Sequence, residues 1–195
     1  MEDSVFGAEG ILIHGDKIVL GMQKPKRWYL MENGEKAAII KTIGGAIEEV
    51  DKEDTKKALI REILEEIKGI KKNDIKVSKK PIFTKEIKIG ELNPYEKNSN
   101  LKMKADFYIV EIKNNINLTP NDLPALIEIP KKKFYNMKLA INLRLDNIKN
   151  YIIKEKKEII IPDNYAIMVP KEVKELFKDT RGKFMERDRR NTNKK

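Results

Sequence analysis

The sequence predicts a single α/β domain, and three observations point to it. Residues near 55–67 carry an amphipathic helix with an acidic stripe. Short β-branched runs bounded by Gly, Pro, Asn or Asp recur on both sides of it. The chain has 195 residues, 40% apolar and 37% charged, enough for one sizeable core under a well-charged surface.

Residues 10–21 read as a β-hairpin, two β-branched runs around Gly15-Asp16. His14, the only histidine, falls at that turn and is expected to be structural. Residues 23–27 are basic and include Pro25, and the only tryptophan, Trp28, follows. A base or sugar could stack on Trp28 while Lys24, Lys26 or Arg27 holds phosphate; the alternative is a Trp28 packed under a loop. Residues 37–43 form an apolar run, the expected strand that delivers Gly44-Gly45.

In the helix, at ~100° per residue, Glu62, Glu65 and Glu66 share one arc. Leu59, Ile60, Ile63 and Ile67 share the neighbouring arc, which should face a core. Like charges at i,i+4, such as Glu62 and Glu66, cost an isolated helix roughly 0.2–0.5 kcal/mol, and a bound cation would remove that repulsion. Hard oxygen ligands select Mg²⁺ or Mn²⁺. The plain alternative is a solvated, Glu-rich helix face. Gly44-Gly45 weighs against it, because paired glycines mark a sharp bend or a close backbone approach.

Residues 44–70 resemble the signature of the Nudix hydrolases: Gly, five residues, Glu, seven residues, then Arg-Glu-apolar-any-Glu-Glu-any-Gly-apolar. Arg61, Glu62, Ile63, Glu65 and Glu66 match its helix, and Glu53 falls at its acidic position. Gly45 matches the opening Gly, with two extra residues in the loop, so that Asp51 is an alternative occupant of the acidic position. Lys68 stands where the signature has Gly, and Gly69 follows one place late. The resemblance implies a Nudix-like α/β/α sandwich, a mixed β-sheet between helices. It implies Mg²⁺ or Mn²⁺ held by Glu62, Glu65 and Glu66 with a Gly44 or Gly45 carbonyl, and Glu53 either ligating metal or holding Arg61. Glu65, Glu66 or a later acid such as Asp106 or Glu96 would take a proton, and Arg61 would orient a box glutamate. The implied reaction is hydrolysis of a phosphoanhydride in a nucleoside diphosphate linked to another moiety. Two rivals stand beside it: a Nudix-fold nucleotide-binding or regulatory module with weak turnover, and an RNA-directed, decapping-like protein.

Beyond the box, strands are expected at 74–77, 81–89, 104–112, 126–130 and 159–161. Residues 91–100 form a polar loop able to cover a site. A helix over 136–156 is expected on the sheet face opposite the box helix, and another from Pro170 to about 178. Residues 1–157 are expected to form the domain and 158–195 an appendage, basic and frayed from about 181.

The formal charge is +10, but residues 178–195 hold eight basic and three acidic side chains, half of the excess. A solvated basic surface is favoured over a nucleic-acid groove. The chain has no cysteine, which excludes disulfides, thiolate metal sites and a cysteine nucleophile. No GxxxxGK[ST], GxGxxG or GxSxG motif occurs. No basic-flanked apolar leader and no apolar run of ~18 residues is present. The expectation is a cytoplasmic protein with a small-molecule nucleotide substrate, no membrane partner, and homodimerisation open.

Overall fold

The structure, a computed structural model, describes residues 4–88, 102–138, 143–156 and 158–178. It opens with the expected hairpin: β1 (Ser4–His14) and β2 (Lys17–Met22) joined through Gly15, whose φ of 62° suits glycine. Then come β3 (Tyr29–Leu30), β4 (Lys36–Lys41), β5 (Ile43–Ala46), helix α1 (Thr55–Glu66) and β6 (Ile67–Lys68). The next strands are β7 (Ile75–Val77), β8 (Phe83–Lys88), β9 (Lys102–Ile112), β10 (Thr119–Pro120) and β11 (Ala125–Pro130). The chain ends with α2 (Lys131–Asn136), β12 (Leu143–Arg144), β13 (Ile152–Glu155), β14 (Asn164–Ile167) and α3 (Lys171–Glu175).

Among the described residues, twelve strands join one sheet along the path β12-β14-β4-β2-β1-β9-β7, with β11, β13, β3, β5 and β8 branching from it. β1 runs parallel to β9 from Ser4↔Lys102 to His14↔Ile112 and antiparallel to β2 and β5, so the sheet is mixed. Strand alternation splits its side chains between two cores. Leu12, Val19, Ile43, Tyr108 and Leu126 meet Leu59 and Ile63 of α1 on one face. Ile11, Leu20, Ile40, Phe107 and Ile127 meet Phe134, Val173 and Phe177 on the other. The mixed sheet between helices is therefore as expected.

α1 begins where Asp54 accepts from the backbone N–H groups of Lys56 and Lys57, a side-chain cap for otherwise orphan donors. Leu59, Ile63 and Ile67 are buried, whereas Ile60, on the flank of the stripe, is only partly covered. The helix stops at Glu66 because Ile67 turns extended (φ −121°) to pair as β6 with β10. Gly69, at φ 89°, ends that short strand rather than the helix.

Two sequence expectations are corrected. The 136–156 helix is not formed by the described residues. After α2 the chain makes single 3-10 turns at Leu145–Asn147 and Lys149–Tyr151 and then β13. Leu145, Ile148 and Tyr151 recur every third residue, the 3-10 period, and Asp146, Asn147 and Asn150 are weak helix formers. Residues 159–161 do not form a strand either, and Ile160 is 90% exposed. The strand comes later as β14, parallel to β4. Together with Val173 and Phe177, whose ring meets Phe134 edge-on at 5.9 Å, β14 packs into the same core. The line expected near 157 thus separates no second core. Glu96 and the tail from 181 lie outside the described residues.

Candidate active site

The β1–β5 pairing sets Glu9 opposite Gly44 and Ala8 opposite Gly45. A Cβ on Gly44 would lie 2.1 Å from the Ala8 carbonyl oxygen, and one on Gly45 would lie 2.5 Å from the Glu62 carboxyl carbon. The first glycine lets β1 close on β5, and the second makes a seat for the Glu62 carboxylate.

Glu66 lies one helical turn beyond Glu62 on the same face. Burial pushes its carboxyl up to about 8; the negative charges of Glu9, Glu62 and Asp122 add to this, and Lys41 opposes it. No hydrogen-bond donor among the described residues reaches the Glu66 carboxylate. Burial also raises Glu62, against the pull of Arg61. Glu65 diverges from these two. It is exposed, and its carboxylate meets Arg61 Nη1 only at 3.4 Å.

Arg61 is the hub that holds this side of α1. Its Nη1 donates to Glu62 Oε1 at 2.8 Å and its Nη2 to Asp51 Oδ2 at 2.8 Å and to the Ala46 carbonyl at 3.1 Å. The Arg61 hydrogen bonds hold the Asp51 carboxyl below its ordinary range. Asp51 also accepts the Glu48 backbone N–H at 2.9 Å, which closes its own 3-10 turn. The residue that grips Arg61 is therefore Asp51, and the expectation that Glu53 might do so is corrected. Gly45, five residues and Asp51 keep the first spacing of the signature. The two extra residues fall after the acidic position, at Lys52 and Glu53, which take left-handed φ values of 51° and 62°. That turn leaves Glu53 exposed.

The expected substrate contacts fare differently. Trp28 is 5% exposed and its Nε1 donates to the Gln23 carbonyl at 2.7 Å, so its ring fills the core and offers no face for stacking. Arg27 is exposed, with Nη1 3.4 Å from Gln23 Oε1. From the same basic loop, Lys24 pairs with Asp122 at 2.5 Å. Asp106 accepts from Thr84 Oγ1 at 2.6 Å and from Thr55 Oγ1 at 3.1 Å. Thr55 opens α1, about 16 Å along the helix axis from Glu66, so Asp106 anchors the far end of the helix. His14 is held at the hairpin by Glu128 Oε1 at 2.5 Å and the Asn114 carbonyl at 3.2 Å.

Two site residues were not found from the sequence. Glu9, 3% exposed, accepts from Lys41 Nζ at 2.8 Å and from Thr42 Oγ1 at 2.7 Å. Lys41 Nζ also donates to the Gly44 carbonyl at 3.2 Å. The available signal is that each is a lone charge within an apolar strand, AEGIL and AIIKTI.

Glu62, Glu66 and the Gly44 carbonyl offer hard oxygens of the kind Mg²⁺ and Mn²⁺ take, and the absence of a side chain on Gly45 leaves room for the Glu62 carboxylate. Among the described residues, no group of three His, Cys, Asp or Glu side chains stands close enough to hold a metal unaided. No described helix is long and apolar enough to cross a membrane.

No family model and no curated protein matches the chain. Solved structures do. It is similar to the E. coli dihydroneopterin triphosphate pyrophosphohydrolase at 12% identity and a TM-score of 0.51, over 69% of this chain and 86% of that one. A Nudix-family hydrolase from Clostridium perfringens aligns at 16% identity and a TM-score of 0.46, over 68% and 85% of the two chains. The Nudix domain of Shewanella oneidensis NrtR, complexed with ADP ribose, aligns at 13% and 0.46, over 72% and 81%.

Proposed function

We propose that this chain, whose fold is the Nudix fold, is a metal-dependent hydrolase that cleaves a phosphoanhydride in a nucleoside diphosphate linked to another moiety. The observation that carries the reading is the Glu62 carboxylate seated on Gly45, with the buried Glu66 carboxyl one helical turn away and electrostatically coupled to it. Glu62, Glu66 and the Gly44 carbonyl would hold Mg²⁺ or Mn²⁺, with Glu65 at the rim. When bound, such an ion neutralises diphosphate charge and brings the pKa of a coordinated water toward neutrality.

The chain's own residues supply the rest. Arg61, fixed by Asp51, holds Glu62 in position through a charge-assisted hydrogen bond. Arg61 is spent on these contacts and acts as a positioning residue. Glu66, whose carboxyl burial raises to about 8, takes the proton of the attacking water once it is ionised, above that value or with a cation beside it. Glu53, Trp28 and Asp106 take no part in this reading.

A nucleotide-binding module with little turnover is the second reading. It is favoured by the lack, among the described residues, of a group of three carboxylates set for a metal. A panel of nucleoside diphosphate derivatives with Mg²⁺, run on wild type and Glu66→Gln, separates the two. Mg²⁺-dependent turnover that falls at least ~10²-fold in Glu66→Gln supports the hydrolase. Equal turnover in the variant refutes the role given to Glu66. Ligand binding without turnover supports the module. An RNA-directed role would instead show steeply salt-dependent RNA affinity that is lost on removing residues 181–195.

A further inference from the structure

Lys41 ends β4 and points back under the turn into β5. Its side chain is 16% exposed, and that of its partner Glu9 is 5% exposed. An ammonium so sheltered needs acceptors for its three N–H bonds. Glu9 takes one at 2.8 Å and the Gly44 carbonyl another at 3.2 Å. Thr42 Oγ1 fixes the other Glu9 oxygen at 2.7 Å, so the pair is held from both sides. The Lys41 charge also acts on Glu62 and Glu66. Lys41 therefore engages the Gly44 carbonyl, and acts electrostatically on the carboxylates, that a divalent ion would use here. An ammonium and a divalent ion a few ångström apart, in a partly desolvated site, repel strongly.

We propose that Lys41 is a tethered counter-ion of the cleft, and that a divalent ion binds by displacing its ammonium from the Gly44 carbonyl. The inference rests on the cleft being a divalent-ion site. Metal affinity is then set low by an internal competitor, and the buried Glu9 carboxylate is the post to which that competitor is tied.

The test has two arms. In the first, wild-type protein is treated with an amine-reactive label with and without Mg²⁺, and Lys41 labelling is read by peptide mass spectrometry. Displacement raises it severalfold, whereas unchanged or reduced labelling in the presence of bound ion overturns the proposal. In the second, Mn²⁺ binding to wild type and Lys41→Gln is titrated by the electron paramagnetic resonance of free Mn²⁺. The variant is expected to bind about tenfold tighter or better, and equal or weaker binding overturns the proposal. Because Lys41→Gln leaves buried Glu9 without its cation, the labelling arm decides if that variant does not fold. Equal Mn²⁺ binding by both proteins sinks the role of Lys41 and leaves the metal site standing. No binding by either sinks the metal site, and the proposal with it.

Discussion

At one end of β1, Glu128 receives His14 Nδ1 at 2.5 Å and Lys17 Nζ at 2.9 Å. Near the middle of the same strand, Glu66 faces Glu9, Glu62 and Asp122, with Lys41 as the opposing cation. Both carboxylates lose water on folding, and their surroundings answer that loss in opposite ways. Burial alone would raise Glu128, but the hydrogen bonds from His14 and Lys17 outweigh it and hold the carboxyl below its ordinary value. Among the described residues Glu66 has no such donor, and its carboxyl rises to about 8. Both ring nitrogens of His14 lie within hydrogen-bond reach of an oxygen, Glu128 Oε1 and the Asn114 carbonyl. The Glu128 cluster is closed, every charge answered within the fold. The Glu66 cluster has carboxylates to spare, the condition in which a further cation stabilises a site.

The largest expected consequence is kinetic. Glu66→Gln lowers Mg²⁺-dependent turnover by about 10²–10⁴-fold in steady-state assays, whereas Glu128→Gln leaves it near wild type. Equal losses in both variants would erase the distinction between the clusters.

The next is the pH dependence of stability, and its sign differs between the two clusters. Glu66 titrates higher in the folded state than in the unfolded chain. The native state therefore holds the extra proton between about pH 4.5 and 8, and stability falls as pH rises through that window. Denaturant melts should show Glu66→Gln matching wild type near pH 4 and exceeding it by up to ~4 kcal/mol above pH 8. Glu128 titrates lower when folded, so its contribution is present above the unfolded pKa and is lost as pH falls. Glu128→Gln should accordingly be destabilised at neutral pH and converge on wild type in acid.

A third carboxylate sharpens the comparison. Asp51 is closed like Glu128, gripped by Arg61 from two nitrogens. Asp51→Asn leaves a sheltered guanidinium without its anion and should cost about 3 kcal/mol in urea melts. Glu53→Gln, two residues away and exposed, should stay within about 0.5 kcal/mol. The reverse order would return the acidic position of the signature to Glu53.

The hairpin, the box helix and the main strands were legible because their patterns are local: a Gly-Asp turn, alternating β-branched residues, a helical stripe ending in buried Ile63. Glu62 and the paired glycines were marked for the same reason, but the close approach of Glu62 to Gly45 was not. What escaped depends on pairing between distant segments. Glu9 enters the cleft only because β1 lies against β5, and Lys41 only because the chain turns back at Thr42. The 3-10 turns after α2 share their apolar positions with a helix, so spacing alone could not part the two. That Asp51 rather than Glu53 contacts Arg61 goes with a backbone turn of two successive left-handed residues, which counting cannot show.

The most direct test of the central claim is a crystal structure grown with Mn²⁺ above pH 8, where Glu66 is ionised. The account predicts an anomalous peak about 2.0–2.3 Å from a Glu66 carboxylate oxygen and the Gly44 carbonyl, with Glu62 alongside. A peak beside Glu53 or Asp106 alone, or no protein-bound peak at all, would contradict it.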